Sequence, residues 1–284
     1  MSSIRQHVSN ATVLRFPLVA RPRPICRPVS TRLAQIRSRA DQASQGGQEA
    51  LLRAAESLNL AALVASDCGQ SDLARDLCRR QFAIFSTARP LSASAAQLAL
   101  QPLINLARLL SREGDGQAGF QALDALLTAL KTSGSAEING VALDLRGFVA
   151  SADDAQGIAQ WLQEVVLSDG VRALARVGQW DRALAYAESR GAIGPCLREG
   201  RQVAVISHCM AGAPSAGRAL LHDSSLTEQW EHAVSSCLAV LCLRVDGRPT
   251  GIAAEQMVTE YLAVEHDPAL AMFNAHLGVA RRWS

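Results

Sequence analysis

Aromatic residues are scarce in this chain, at 4% of 284 positions, and lysine is nearly missing: Lys131 stands alone beside 27 arginines. A core short of large rings has to be built from Ala and Leu, which are abundant. Small side chains at contacts with Leu as filler belong to closely packed helices rather than sheets. With 49% apolar residues the chain can still bury a sizeable core, so the expected class is all-α. Long apolar runs are lacking too: no stretch nears the roughly 20 residues that span a bilayer, which excludes a membrane-spanning helix. Arginine in place of lysine points to a GC-rich bacterial genome.

The seven cysteines (Cys26, Cys68, Cys78, Cys196, Cys209, Cys237 and Cys242) are odd in number and form no C-x-x-C pair, which argues against a disulfide framework and a zinc site. Cys237 and Cys242 lie in the apolar run SSCLAVLCL, where cysteine serves as a small hydrophobe. A reducing cytoplasm fits this usage. No two of the six histidines recur at i, i+4. The G-x-S-x-G elbow, the Gly-rich phosphate loop with its Lys and the H-E-x-x-H helix are all missing. These absences point away from an enzyme. They leave no catalytic residue, metal or cofactor to assign.

Acidic residues are absent from the first 40 positions, which carry eight arginines, while the remainder holds 20 basic against 26 acidic residues. A basic arm thus precedes an acidic body. Residues 1–30, with Pro17, Pro22, Pro24 and Pro28, lack an amphipathic helical pattern and read as a solvated, polyproline-like tail; there is no strong nucleic-acid signal. The Ser- and Arg-rich composition is similar to an organelle transit peptide, an address that a bacterium does not use.

Residues 31–284 read as helices. TRLAQIRSRADQ is a short one, and LLRAAESLNLAALVAS is apolar all round, which implies burial on more than one side. It stops at Cys68-Gly69, where Gly can take the left-handed conformation that closes a helix. Ser71 with Asp72 can cap the next helix, LARDLCRRQFAIF, which ends before Pro90. A small or apolar residue, a Gly seven later and a small residue five after that recur at Ala62/Gly69/Ala74, Ala107/Gly114/Gly119 and Val171/Gly178/Ala183, with an echo at Val205/Gly212/Gly217. The outer two members sit where the helices of an antiparallel hairpin cross, and the middle Gly makes the turn.

LARVGQWDRALAYAESRG and LLSREGDGQAGFQALDALL resemble tetratricopeptide repeats closely, and SDCGQSDLARDLCRRQ somewhat less, over roughly residues 51–250. The resemblance implies a right-handed solenoid of helix hairpins whose concave face binds a partner, usually a peptide. The Gly178–Gly212 spacing of 34 is the family's repeat length, but Gly69–Gly114 spans 45 and Gly114–Gly178 spans 64, so the array is irregular. The 64-residue interval contains SAEINGVALDL, whose Asn139-Gly140 suits a type I′ turn and predicts one small inserted β-hairpin. Ser151 or Asp153 caps the helix after it. Residues 230–243 are a nearly continuous apolar helix, and IAAEQMVTEYLAV with PALAMFNAHLGVARRW closes the array, Pro268 standing at a helix start.

Three isolated features read as structural rather than chemical. Asp153-Asp154 is similar to the magnesium-binding acid pairs of helical terpenoid enzymes, but a pair at a helix start is a cap. His208 and Cys209 point about 100° apart on a helix and do not meet. Asp67 at a helix C-terminus opposes the dipole and is explained by capping a neighbouring turn.

The functional signal is a set of amides and guanidinium groups on first helices of the hairpins. Asn105, Arg108 and Arg112 recur at i, i+3 and i+7, and Arg172 and Arg176 at i, i+4. Arg108 and Arg172 each precede their turn Gly by six residues, and Arg112 and Arg176 by two. Tetratricopeptide domains that grip a peptide carboxylate use Asn and Arg on these inner faces, amides for the backbone and cations for the anion. Asn105 matches that pattern, and Asn59 lies one residue out of phase. A cytoplasmic protein- or peptide-binding adaptor is therefore expected, its partner anionic or carboxylate-bearing. The alternatives are an accessory or catalytic protein of a specialised biosynthetic pathway, and the detached sensor domain of a transcription regulator. Partner identity and oligomeric state are not written in the sequence.

Overall fold

The computed structural model describes residues 13–23, 27–47 and 49–280. Residues 1–12 and 24–26 of the arm, with Cys26, lie outside the described residues, as do Gln48 of the SQGGQ turn and Arg281, Arg282 and Trp283 of the expected closing helix. The chain divides into two compact units, Cys26–Gly170 and, joined by the beginning of the chain, Val171–Ser284.

The first unit runs α1 (Val29–Ser44), α2 (Ala50–Asp67), α3 (Ser71–Ser86), α4 (Ala93–Arg112), α5 (Gly116–Thr132), β1 (Ser135–Ile138), β2 (Val141–Asp144), α6 (Ala152–Val165) and a π-helical turn, Val166–Gly170. The second contains α7 (Val171–Arg176), α8 (Trp180–Ser189), α9 (Glu199–Met210), α10 (Pro214–His222), α11 (Gln229–Val245), α12 (Gly251–Ala263), a 3₁₀ turn (Pro268–Leu270) and α13 (Ala271–Ala280). Within each unit, helices pack chiefly on their neighbours in sequence. The result is an all-α array of antiparallel hairpins with one β-hairpin inserted. α2, expected to be covered on several sides, packs on α1, α3 and α4.

The turns repeat one geometry. Gly69, Gly114, Gly178, Gly212 and Gly247 all have positive φ, which only Gly adopts without strain. After each, the next N–H returns to the carbonyl five residues back: Gln70 to Ala65, Asp115 to Leu110, Gln179 to Leu174, Ala213 to His208 and Arg248 to Leu243, all at 2.8–3.0 Å. This Schellman closure satisfies carbonyls that the helix end leaves free. It also places Ser71 inside α3. The N-cap is Gln70, with no side-chain cap, which corrects the expected Ser71 cap; Asp72 stays in the first turn, where it suits the helix dipole.

In the two triplets that end in Gly, the outer members meet as expected. A Cβ on Gly119 would lie 2.8 Å from the Ala107 carbonyl oxygen, and one on Gly217 would lie 3.1 Å from that of Val205. Ala74 and Ala183 are buried. Ala183→Leu should overpack its crossing and cost about 1–3 kcal/mol, read as a lowered midpoint in chemical denaturation, whereas a Leu at exposed Arg182 in the same helix should leave the midpoint unchanged.

Two local solutions position the first unit's helices. Pro102, inside α4, has no N–H for the Leu98 carbonyl, and the buried Gln81 of α3 supplies one instead, its Nε2 donating to Leu98 O at 3.2 Å. The β-hairpin turns on Asn139 (φ 48°) and Gly140 (φ 76°), with Ile138 opposite Val141, and its buried Ile138 and Leu143 face inward. Ser151 caps α6 by accepting from Asp154 N–H at 3.1 Å, and Asp267 caps the turn that Pro268 opens.

The arm departs from its expected form. Between residues 13 and 20, Val13, Phe16, Leu18 and Val19 are buried as part of the second unit, and α1 begins at Val29. The run LRFPLVA carries enough apolar surface to offset its ordering entropy, and its main chain finds hydrogen bonds on α9, described below.

Candidate functional site

α2 and α4 bring four of the six predicted residues together. Asn105, buried on α4, donates from Nδ2 to Asn59 Oδ1 of α2 at 2.8 Å. Its own Oδ1 accepts from Arg108 at 3.2 Å. Asn59, out of phase by count, reaches the pair because Asn105 points toward α2. Arg108, one turn further along α4, is half exposed and pairs through Nε (2.8 Å) and NH2 (2.6 Å) with Asp169 of the π-helical turn. Arg112 donates to the Ser66 hydroxyl and lies 3.5 Å from Asp67, which Arg32 of α1 also binds at 2.8 Å. Asp67 therefore joins guanidinium groups and caps no neighbouring turn.

Asn105, Arg108, Arg112 and Ser66 rim a small hollow lined by Ala62, Leu63, Ala74 and Leu109, with Cys78 in its wall. The small Ala residues that let the helices close on one another also leave this hollow above the crossing. Burial pushes the Cys78 thiol up to about 11, so it stays protonated at neutral pH. Arg108, Arg112 and Arg32 outnumber Asp67 and Asp169 by three charges to two. Arg108 uses Nε and one donor each of NH1 and NH2 on Asn105 and Asp169, and its fork has five. The arrangement can hold an anion: the Asn105 amide at its base, guanidinium N–H groups at its rim and apolar surface beneath.

Arg172 and Arg176 belong to the other unit. Arg172 sits 3.4 Å from Glu199 of α9, whose carboxylate Arg21 also binds at 2.8 Å, and Arg176 is exposed. The shared count to the turn Gly thus places the two arginine sets on equivalent helices of separate units. His276 stays below the ordinary histidine range because it is partly desolvated and because Arg15, Arg176, Arg23 and Arg172 add positive charge around it.

No family model, curated protein or solved structure matches this chain.

The remaining sequence features fall into place as structure. Asp153 and Asp154 occupy the first turn of α6 beneath the Ser151 cap. Cys209 is buried against Cys242, with the sulfurs 3.3 Å apart, and not against His208. Among the described residues no group of three His, Cys, Asp or Glu side chains gathers to hold a metal ion, and no helix is long and apolar enough to cross a membrane. Asp169, the carboxylate that organises Arg108, was not among the predicted residues. It lies 61 positions from its partner in an SDG triplet that reads as an ordinary turn.

Proposed function

We propose that the chain is a peptide-binding adaptor of tetratricopeptide-like, right-handed hairpins, and that Asn59, Asn105, Arg108 and Arg112 grip a carboxylate-bearing peptide segment. One observation carries this reading: the hydrogen-bonded line from Asn59 through Asn105 to Arg108, whose last two members rim an apolar hollow beside Arg112. Amides recognise a peptide main chain, guanidinium groups recognise a carboxylate, and the hollow takes a small apolar side chain. Asp169 stands where a ligand carboxylate would compete for Arg108. The arginine bias and the free thiols support a bacterial, cytoplasmic setting.

The test is selection from a random peptide library displayed with free C-terminal carboxylates, followed by titration of a selected peptide. Arg108→Glu should weaken that peptide by about 2 kcal/mol or more, roughly thirtyfold, with an unchanged circular dichroism spectrum, and affinity should fall as salt rises. Equal affinity for wild type and Arg108→Glu would remove this face and favour the small-molecule or biosynthetic reading of the pocket.

A further inference from the structure

The segment around residues 16–21 is held as a bound peptide is held. Gln202 of α9 accepts from the Leu18 N–H through Oε1 at 2.7 Å and donates to the Leu18 carbonyl through Nε2 at 2.7 Å. A primary amide that satisfies both main-chain groups of one residue does the work of a neighbouring β-strand, and it reads backbone without regard to the side chain. Gln202 is fully buried, and its Nε2 also donates to Leu197 O at 2.9 Å, which fixes the amide's orientation. Phe16, Leu18 and Val19 are buried on either side. Arg21 then reaches the largely buried carboxylate of Glu199 at 2.8 Å, and the Arg23 N–H donates to Ala269 O at 2.9 Å. Residues 16–23 form no helix or strand of their own.

We propose that this face of the second unit, built on Glu199, Leu197 and Gln202, is a binding site for an extended peptide of the pattern aromatic-Pro-apolar-apolar-x-Arg, and that residues 16–21 are its built-in occupant. Gln202 recognises the main chain, the buried surface takes the apolar side chains, and Glu199 selects the arginine. A partner segment of the same chemistry enters by displacing the resident one, whose tether gives it a high effective concentration and so sets a threshold for the partner. This ligand is apolar and basic, opposite in sign to that proposed for the Arg108 site, so the two sites are separable.

The experiment uses the full chain with a specific protease sequence inserted after the exposed Arg27. After cleavage under native conditions, segment and body should co-elute in gel filtration. A fluorescein-labelled peptide LRFPLVARPR should then bind the cut protein saturably and release the segment, and should bind the uncut protein at least tenfold more weakly because the tethered segment competes. The same peptide carrying Arg21→Glu should lose most of its affinity. Glu199→Gln in the protein should weaken LRFPLVARPR while leaving the Arg21→Gln peptide nearly unaffected, which a general loss of folding would not do. Failure of excess peptide to displace the cut segment, equal labelling of cut and uncut protein, or indifference to Arg21→Glu would each overturn the proposal.

Discussion

A Phe16→Ala variant should lose about 3–5 kcal/mol of unfolding free energy, the range for removing a fully buried phenyl ring, although the residue lies in a stretch whose prolines and arginines read as a solvated tail. Phe16 has no exposed surface, and Val13, Leu18 and Val19 are buried beside it. Deleting residues 1–23 should be destabilising for a second reason: Gln202 would lose both of its Leu18 partners inside the core, and an unpaired buried amide costs about 1–3 kcal/mol. Chemical denaturation of wild type, Phe16→Ala and the deletion checks both effects. Arg23→Ala is the control, because its side chain is exposed and the Ala269 contact is made by the main chain; it should change stability by less than about 0.5 kcal/mol.

Replacing Arg201 should produce a loss of similar size in the same unit. Its guanidinium is buried and donates to the Leu220 carbonyl through Nε (3.1 Å) and NH2 (2.8 Å), to Gly194 O through NH1 at 2.8 Å, and to the Ser224 hydroxyl at 2.7 Å. These bonds tie α9 to the end of α10 and to the loop before α9. Arg201→Met keeps most of the volume but strips those acceptors of their donor, and hydrogen bonds to a charged group contribute about 1.5–3 kcal/mol each, so a loss of about 3 kcal/mol or more is expected. Arg201→Lys retains the charge but not the planar fork that serves three acceptors at once, and should recover only part of the loss. Thermal or denaturant melts of the two variants against wild type give the ranking; a Lys variant as stable as wild type would mean that the geometry of the fork contributes nothing.

What could be read ahead was whatever depends on local spacing. The five turn glycines need positive φ, Asn139-Gly140 needs a type I′ turn, and Ser151 and Pro268 sit at starts that favour them; all four follow from a few adjacent residues. The small-Gly-small triplets placed Gly119 at a crossing with Ala107 and Gly217 at one with Val205, and the structure has both contacts. Asn105, Arg108 and Arg112 were legible because a helix repeats every 3.6 residues. Contacts between distant segments were not. Gln81 answers Pro102 across two helices, Asp169 meets Arg108 across 61 positions, and Gln202 meets Leu18 across 184. A Gln, an Asp or an LRFPLVA stretch carries no local mark of such a partner. The cap at α11 escaped for a different reason: Glu228 and Glu231 make the reciprocal bonds of a capping box, with a carboxylate where Ser or Thr is the usual signal.

Asp169 gives the most direct test of the carboxylate-binding account, because it engages Arg108 as a ligand carboxylate would. A selected peptide and its C-terminally amidated form should be titrated calorimetrically into wild type, Asp169→Asn and Arg108→Glu. The account predicts that Asp169→Asn binds the free-acid peptide several-fold more tightly than wild type, that Arg108→Glu binds it about thirtyfold more weakly, and that the amidated peptide discriminates little among the three. Affinities that are the same for acid and amide, and unmoved by either substitution, would contradict it.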